Sequence, residues 1–232
     1  MSALDFAAVL AIGIHDAKNS LNRVLTMLEA IGDGTTDAFR CDAATVAQLQ
    51  YEARRINDNL IQLLTLYRQE KGLYQPRFAP VLVYELLEDG WLKNKPLMER
   101  SGIACTLACD ERLVWTLDRD LVESVLDNVI VNDVRYTRAC IRLSAHIAAE
   151  TLHLLIEDDG PGYPPVMLGR RRHDALATVD RTLGRTGVGL HFCALIADCH
   201  ANAEQRGYIE LSNGGTLGGG CFLLRLPRIA PS

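Results

Sequence analysis

A chain of 232 residues with 48% hydrophobic and 23% charged content has an ordinary globular composition, long enough for one large domain or two modest ones. Its net charge of -5 argues against generic nucleic-acid binding, and no apolar run approaches the roughly 20 residues that a membrane helix needs. The start Met1-Ser2-Ala3-Leu4-Asp5 lacks the basic segment of a secretory signal, so a cytoplasmic location is expected. The seven cysteines (Cys41, Cys105, Cys109, Cys140, Cys193, Cys199 and Cys221) form an odd set with no C-x-x-C pair, which suits reduced core thiols rather than disulfides or zinc.

In chain order, Ser2 and Asp5 have the form of a capping box, so a first helix is expected to begin near the amino terminus. Apolar residues recur by threes and fours at Phe6, Leu10, Ile14, Ala17, Leu21, Val24, Leu28 and Ile31, one stripe along that helix. The turn formers Gly32 to Asp37 break the pattern, and Asp42 is a good N-cap for a second helix. Val46, Leu49, Ala53, Ile56, Leu60, Leu63 and Tyr67 then repeat at 3-4 spacing until Gly72 closes the segment. Two helices of about 28 residues, each roughly 42 Å long, cannot bury their stripes against one another alone, so a homodimeric four-helix bundle is expected.

On the flank of the first stripe stands His15-Asp16-Ala17-Lys18-Asn19-Ser20. A water-facing histidine with a pKa near ~6.5 is largely neutral at neutral pH and is a usable nucleophile toward a phosphoryl group. Asp16 can orient the imidazole or take its proton, and Asn19, one turn on, could hold a water for hydrolysis.

A second domain is expected from residue 73, after a boundary marked by Pro76, Phe78 and Pro80. Val81 to Arg100 reads as a helix, Ile103 to Cys109 and Val114 to Leu117 as strands, and Asp118 opens a helix with Asn128, Asn132, Arg135 and Tyr136 on its polar side. Strands at Cys140 to Ile147 and Leu152 to Ile156 lead into Glu157-Asp158-Asp159-Gly160-Pro161-Gly162. An arginine-rich stretch, Leu168 to Arg185, precedes Gly187-Val188-Gly189-Leu190, which opens a helix reaching about Ala203. Tyr208 to Ser212 and Cys221 to Leu226 close the sheet, giving an α+β chain whose carboxy-terminal part is a layered α/β sandwich.

The polar clusters have a nucleotide rationale. Asn128 and Asn132 are four residues apart and can present amide oxygens to a hard cation such as magnesium. Asp158 at a strand end can accept from an exocyclic amine, Gly160 and Gly162 let the backbone approach a flat base, and Gly187 and Gly189 at a helix start expose N-H groups to phosphate.

In this order the segments resemble the transmitter module of two-component sensor histidine kinases: a dimerisation and phosphotransfer hairpin over residues 1-72, then a GHKL-type ATP-binding domain over 73-232. His15 to Asn19 resembles the H box, Asp120 through Asn128 to Thr137 the N box, Asp158 to Gly162 the first glycine box, Thr186-Gly187-Val188-Gly189-Leu190 the second, and Gly218-Gly219-Gly220-Cys221-Phe222 with Leu226-Pro227 the final glycine segment. The resemblance implies that ATP and Mg2+ are bound, that Asn132 holds the metal, that Asn128 and Arg135 approach the phosphates, that Tyr136 lies against the nucleoside and that Asp158 selects adenine. It implies that His15 takes the γ-phosphoryl group with help from Asp16 and passes it to an aspartate of a response regulator, which Asn19 helps to dephosphorylate. Input would come from a partner or from the rest of a longer protein.

Three positions and one missing segment depart from the family pattern. Ser20 replaces the proline after the H-box amide, Asp133 replaces an alanine and adds a negative charge near the triphosphate, Arg185 stands where the second glycine box begins, and no phenylalanine box lies between Gly162 and Gly187. Arg185 is the residue expected to clamp the triphosphate in place of the lost glycine. Two other functions fit the same residues: a histidine phosphotransferase with a residual ATP domain, and a non-catalytic dimer that binds a response regulator.

Overall fold

The computed structural model describes residues 14, 17–28, 46, 49, 52, 53, 56, 60, 61, 63–65, 67, 75–169 and 188–230. Two compact units divide at Gln75–Pro76. In the first, residues 17–28 are helical (α1), and the described positions between 46 and 67 are helical as well (α2). Arg23 Nη1 donates to Glu52 Oε1 at 3.3 Å, and Glu52 is almost fully covered, as is Leu63. Leu21 and Leu28, expected on a covered stripe, are 47% and 49% exposed, and Leu25, Leu60, Ile61 and Leu64 are likewise about half exposed. One helix gives each stripe only one wall, so the apolar flank that faces no neighbour stays open to water. Ser2, Asp5, the turn at Gly32 to Asp37 and Asp42 lie outside the described residues.

The second unit is built on a five-stranded sheet of β2 (Ala104–Ala108), β4 (Cys140–Ala148), β5 (Thr151–Asp158), β7 (Gly220–Pro227) and β6 (Tyr208–Asn213), in the order β2-β4-β5-β7-β6. β2 and β4 pair in parallel and the other neighbours antiparallel. The period of two fixes which face is dry: Ile141, Leu143 and Ala145, Leu152, Leu154 and Ile156, Phe222, Leu224 and Leu226, and Ile209 and Leu211 are all buried. The other face carries His146, His153, Arg225 and Tyr208 in one register row.

Three helices belong to this unit: α3 (Val83–Arg100), α4 (Arg119–Asp133) and α5 (Val188–Cys199). α3 buries Val83, Leu86, Leu87, Gly90, Asn94 and Met98, a face spaced by threes and fours. At Gly90 the helix faces α4, and a Cβ there would make ordinary contact, 3.5 Å from Leu126. Asn94 ties the same crossing, donating to Gly90 O and to Asp127 Oδ1, both at 2.9 Å. Replacing Asn94 with alanine is expected to lower the unfolding free energy by about 1–2 kcal/mol, read from a urea titration.

The structure corrects the sequence reading at three ends. Ala79–Leu82 is a strand, β1, and not the start of α3, because it pairs antiparallel with β3 (Val114–Leu117). α4 stops at Asp133, whose carbonyl accepts from Tyr136 N at 2.8 Å and Thr137 N at 2.9 Å, so Arg135 and Tyr136 sit in a turn. α5 stops at Cys199 rather than near Ala203, because the Asn202 side chain accepts from Glu204 N and Gln205 N and turns the chain back.

His200 locks three of these segments together. It is fully buried, its Nδ1 donates to Ile196 O at 2.8 Å, and its Nε2 accepts from Asp118 N at 3.1 Å. Asp118 caps α4 by accepting from Leu121 N and also accepts from Arg77 N at 2.7 Å, and Phe78 meets the imidazole edge-on at 5.3 Å. The described cysteines are all free thiols, and burial, joined by repulsion from Cys140, pushes Cys105 up to about 12.

Candidate nucleotide site

The site forms where the end of α4, the end of β5 and the start of β7 meet. Asp158 closes β5 on its buried face, and it is 5% exposed. Its Oδ1 accepts from Gly160 N at 2.5 Å, while its carbonyl accepts from Gly219 N at 3.0 Å. Glycines wrap it on each side for a steric reason. A Cβ on Gly219 would stand 2.6 Å from Asp158 Oδ1, one on Gly220 2.6 Å from Oδ2, and one on Gly160 2.5 Å from the Tyr136 carbonyl.

Gly162 has a φ of +78°, which an L side chain rarely adopts, and the space where its Cβ would lie is taken by the Asn213 amide at 2.6 Å. Asn213 in turn clamps the next residue from both sides: Tyr163 N donates to its Oδ1 at 2.7 Å, and its Nδ2 donates to Tyr163 O at 2.9 Å. The neighbouring Asp159 faces the other way. It accepts from Arg138 N at 2.8 Å and Ala139 N at 3.0 Å, and although desolvation alone would raise its pKa, these backbone N-H bonds hold it below the usual carboxylate range.

Along α4, Asn128 is partly covered and donates to Cys193 Sγ of α5 at 3.1 Å. A Cβ on Gly189 would stand 2.7 Å from Asn128 Oδ1, so Gly189 lets α5 begin directly over this amide. Asn132 is exposed at the last turn, Arg135 is exposed beyond it, and Tyr136 is partly covered with its carbonyl against Gly160. Val188 opens α5, and Leu190 is partly covered one turn along.

Asp133 requires a correction. Instead of adding a surface charge near a triphosphate, it is 2% exposed, and Oδ2 has no hydrogen-bond partner. Burial first, and repulsion from Asp158 second, push its pKa well above the usual carboxylate range. Tyr163 belongs to the same buried group: burial, with Asp133 and Asp158 close by, pushes its phenol well above the usual range.

Of the other sequence candidates, Asn19 lies on α1, partly covered, within the first unit. His15, Asp16, Arg185, Thr186 and Gly187 lie outside the described residues. Sequence reasoning did not single out Asn213 or Tyr163 for the site, since each acquires its place through pairing with a segment fifty residues away. A cleft of about 670 Å³ lined by Asn202, Arg206, Tyr208 and Arg225 lies elsewhere, since Arg225 is in register with His153, five residues from Asp158 on the opposite face of the sheet. Polar groups and close glycine approaches converge instead at Asp158.

Residues 117–229 match the family model described as histidine kinase-, DNA gyrase B-, and HSP90-like ATPase. Over 224 residues the chain is 28% identical to the sensor protein SrrB of Staphylococcus aureus (strain MRSA252), covering 92% of this chain and 36% of SrrB. The chain thus spans about a third of the length of the curated relatives it matches. Among solved structures it resembles Acinetobacter baumannii histidine kinase AdeS (TM-score 0.68, 21% identity, 93% of this chain and 98% of that one). It also resembles the catalytic domain of histidine kinase ThkA (TM-score 0.53, 19% identity, 65% of this chain and 95% of that one). A third likeness is to full-length ShkA in complex with AMPPNP (TM-score 0.58, 20% identity, all of this chain and 48% of that one). At these identities the likeness to solved structures concerns the fold.

The carboxy-terminal unit is therefore an ATPase-type nucleotide module of the class shared by histidine kinases, gyrase B and HSP90. Within that class the chain is similar to the sensor protein SrrB over 92% of its length.

Proposed function

We propose that the chain is the kinase core of a two-component system, which uses Mg-ATP to phosphorylate His15 and passes the phosphoryl group to an aspartate of a response regulator. The observation that carries this is the glycine-walled Asp158 beside the last turn of α4, an acceptor at a strand end with Asn128, Asn132 and Arg135 on the adjoining segment. In this reading Asp158 accepts from the adenine amine, Tyr136 lies against the nucleoside, and Asn128 and Arg135 approach the phosphates. Arg185 clamps the triphosphate, Thr186, Gly187, Val188, Gly189 and Leu190 bind the nucleotide, and Asp16 and Asn19 serve the two directions of transfer at His15. The chemistry is positioning plus neutralisation of charge on the transferring group.

The donor set fits magnesium only in company with nucleotide. Among the described residues no three histidine, cysteine or carboxylate side chains group to hold a metal. Asn132 offers a neutral amide oxygen, so the remaining ligands are phosphate oxygens and water, as this ion prefers. The half-exposed Leu21, Leu25, Leu28, Leu60, Ile61 and Leu64 support a homodimer through the hairpin. Among the described residues no helix is long and apolar enough to cross a membrane, which is compatible with a cytoplasmic site of action.

Incubation with γ-labelled Mg-ATP tests the reading. Label is expected on the wild-type chain and not on His15→Gln. Label acquired only from a phosphorylated regulator would identify a phosphotransferase instead, and none under either condition would leave regulator binding.

A further inference from the structure

The Asp158 site contains one polar atom for which the ATP reading has no use. Asp133 Oδ2 is buried and has no hydrogen-bond partner, although a buried polar oxygen without a partner costs free energy. Asp133 follows Asn132 directly, at the point where α4 ends, and it lies close enough to Asp158, Tyr163 and Cys221 for their charges to interact. Tyr136 N donates to the Asp133 carbonyl while the Tyr136 carbonyl abuts Gly160, so Asp133 and Asp158 flank the same turn, and one carboxyl oxygen there has no donor.

Tyr163 Cε2 lies 3.1 Å from where a Cβ on Gly220 would stand, and that same point is 2.6 Å from Asp158 Oδ2. The ring edge therefore lies beside the Asp158 carboxyl, while Asn213 holds only the Tyr163 backbone. Rotation about the side-chain bond moves the ring aside without moving the chain. A base that reaches Asp158 takes the place of this ring.

We propose that Asp133 is a second reader of the base: its Oδ2 accepts one N-H of an exocyclic amine while Asp158 accepts the other. This rests on the ATP reading above and extends it to specificity. An amino-purine presents two hydrogens on one nitrogen, which matches two oxygens on adjoining walls. A purine with a carbonyl at that position has no hydrogen to give to either oxygen. The groups that face Asp133 are Asp158 from β5, Tyr163 from the loop after it and Cys221 from β7, with Asn132 on its own helix. None of these is an ammonium or guanidinium that would prefer the carbonyl.

The test is titration of the intact chain, at one fixed pH, with ATP and with inosine triphosphate, in which the amine is replaced by a carbonyl oxygen. Wild type should favour ATP. Asp133→Ala should weaken ATP about tenfold, the scale of one buried hydrogen bond, and leave the inosine nucleotide unchanged or tighter, so the preference collapses. Asp133→Asn, which retains a carbonyl acceptor, should keep the preference within about twofold. Loosening of the site alone would weaken both nucleotides equally. An ATP preference untouched by Asp133→Ala, or lost equally in Asp133→Asn, overturns the proposal and leaves the ATP reading standing. Absence of ATP binding by the folded wild type overturns both.

Discussion

Replacing Gly219 with alanine is expected to abolish measurable ATP binding and to lower the stability of the carboxy-terminal unit by about 3 kcal/mol, through overpacking rather than loss of any contact. The added methyl group would stand 2.5 Å from the Asp158 carbonyl, 2.6 Å from its Oδ1 and 2.6 Å from Gly160 N. All three belong to the backbone or to the carboxyl that closes the cradle, so no flexible side chain can give way. Relief requires β7 to part from the end of β5, which breaks the Gly219 N to Asp158 O bond and aims the carboxylate elsewhere. Gly218→Ala is the control: no atom lies within 4 Å of its Cβ position, but its φ of +85° still strains the backbone, so a loss of about 1 kcal/mol without loss of binding is expected. A thermal unfolding curve with and without ATP reads both quantities at once.

The second large effect is expected at His200, far from the nucleotide. Burial holds its pKa below the usual histidine value, outweighing the Ile196 carbonyl and Asp118, which act in the opposite direction. A histidine whose folded pKa is depressed takes up a proton more readily in the unfolded chain. Its contribution is therefore complete above the unfolded value of about 6.5 and is lost as the pH falls from there toward the lower folded value. The unit should lose stability on acidification through this window. His200→Ala should cost about 2–4 kcal/mol at neutral pH, since it removes the imidazole that accepts from Asp118 N, opens a void beside Phe78 and loosens the α4 cap, and the slope between pH 6.5 and 5 should flatten. His153 is also depressed, by burial first and then by His146 and Arg225, but it titrates in both proteins, so the difference between the two curves isolates His200. Urea titrations at a series of pH values measure it; parallel slopes in the two proteins would refute the assignment.

The parts of the fold that the sequence made legible are those governed by local periodicity. The strands at Cys140–Ala148 and Thr151–Asp158 alternate because each has one dry face, and α4 is announced by Asp118, which does cap it. What escaped is what distant partners decide. β1 carries Pro80 and reads as a lead-in to a helix, yet it is a strand because Val114–Leu117 supplies its ladder. The end of α5 depends on a buried His200 and on the Asn202 turn, and apolar spacing alone runs past both.

The same division holds for the site. Asp158 and its flanking glycines stand out as a motif, and the structure gives the reason for the glycines in distances rather than in flexibility. Asn213 is invisible in the sequence because its role exists only across the β6 to Tyr163 contact. Asp133 was noticed as a departure and assigned a charge near the triphosphate, whereas it is buried on the dry side of α4, where burial raises its pKa. Spacing marks where polar residues recur, but protonation depends on what packs around them.

The account stands or falls on Asp158 as the acceptor that holds a nucleotide base. Calorimetric titration of ATP into the wild-type chain and into Asp158→Asn measures this directly, with circular dichroism to confirm that the variant is folded. The amide places a donor where the amine already donates and crowds Gly160 N-H, so binding about a hundredfold weaker is expected. Equal affinity in the two proteins would contradict the placement of the base, and with it the site described here.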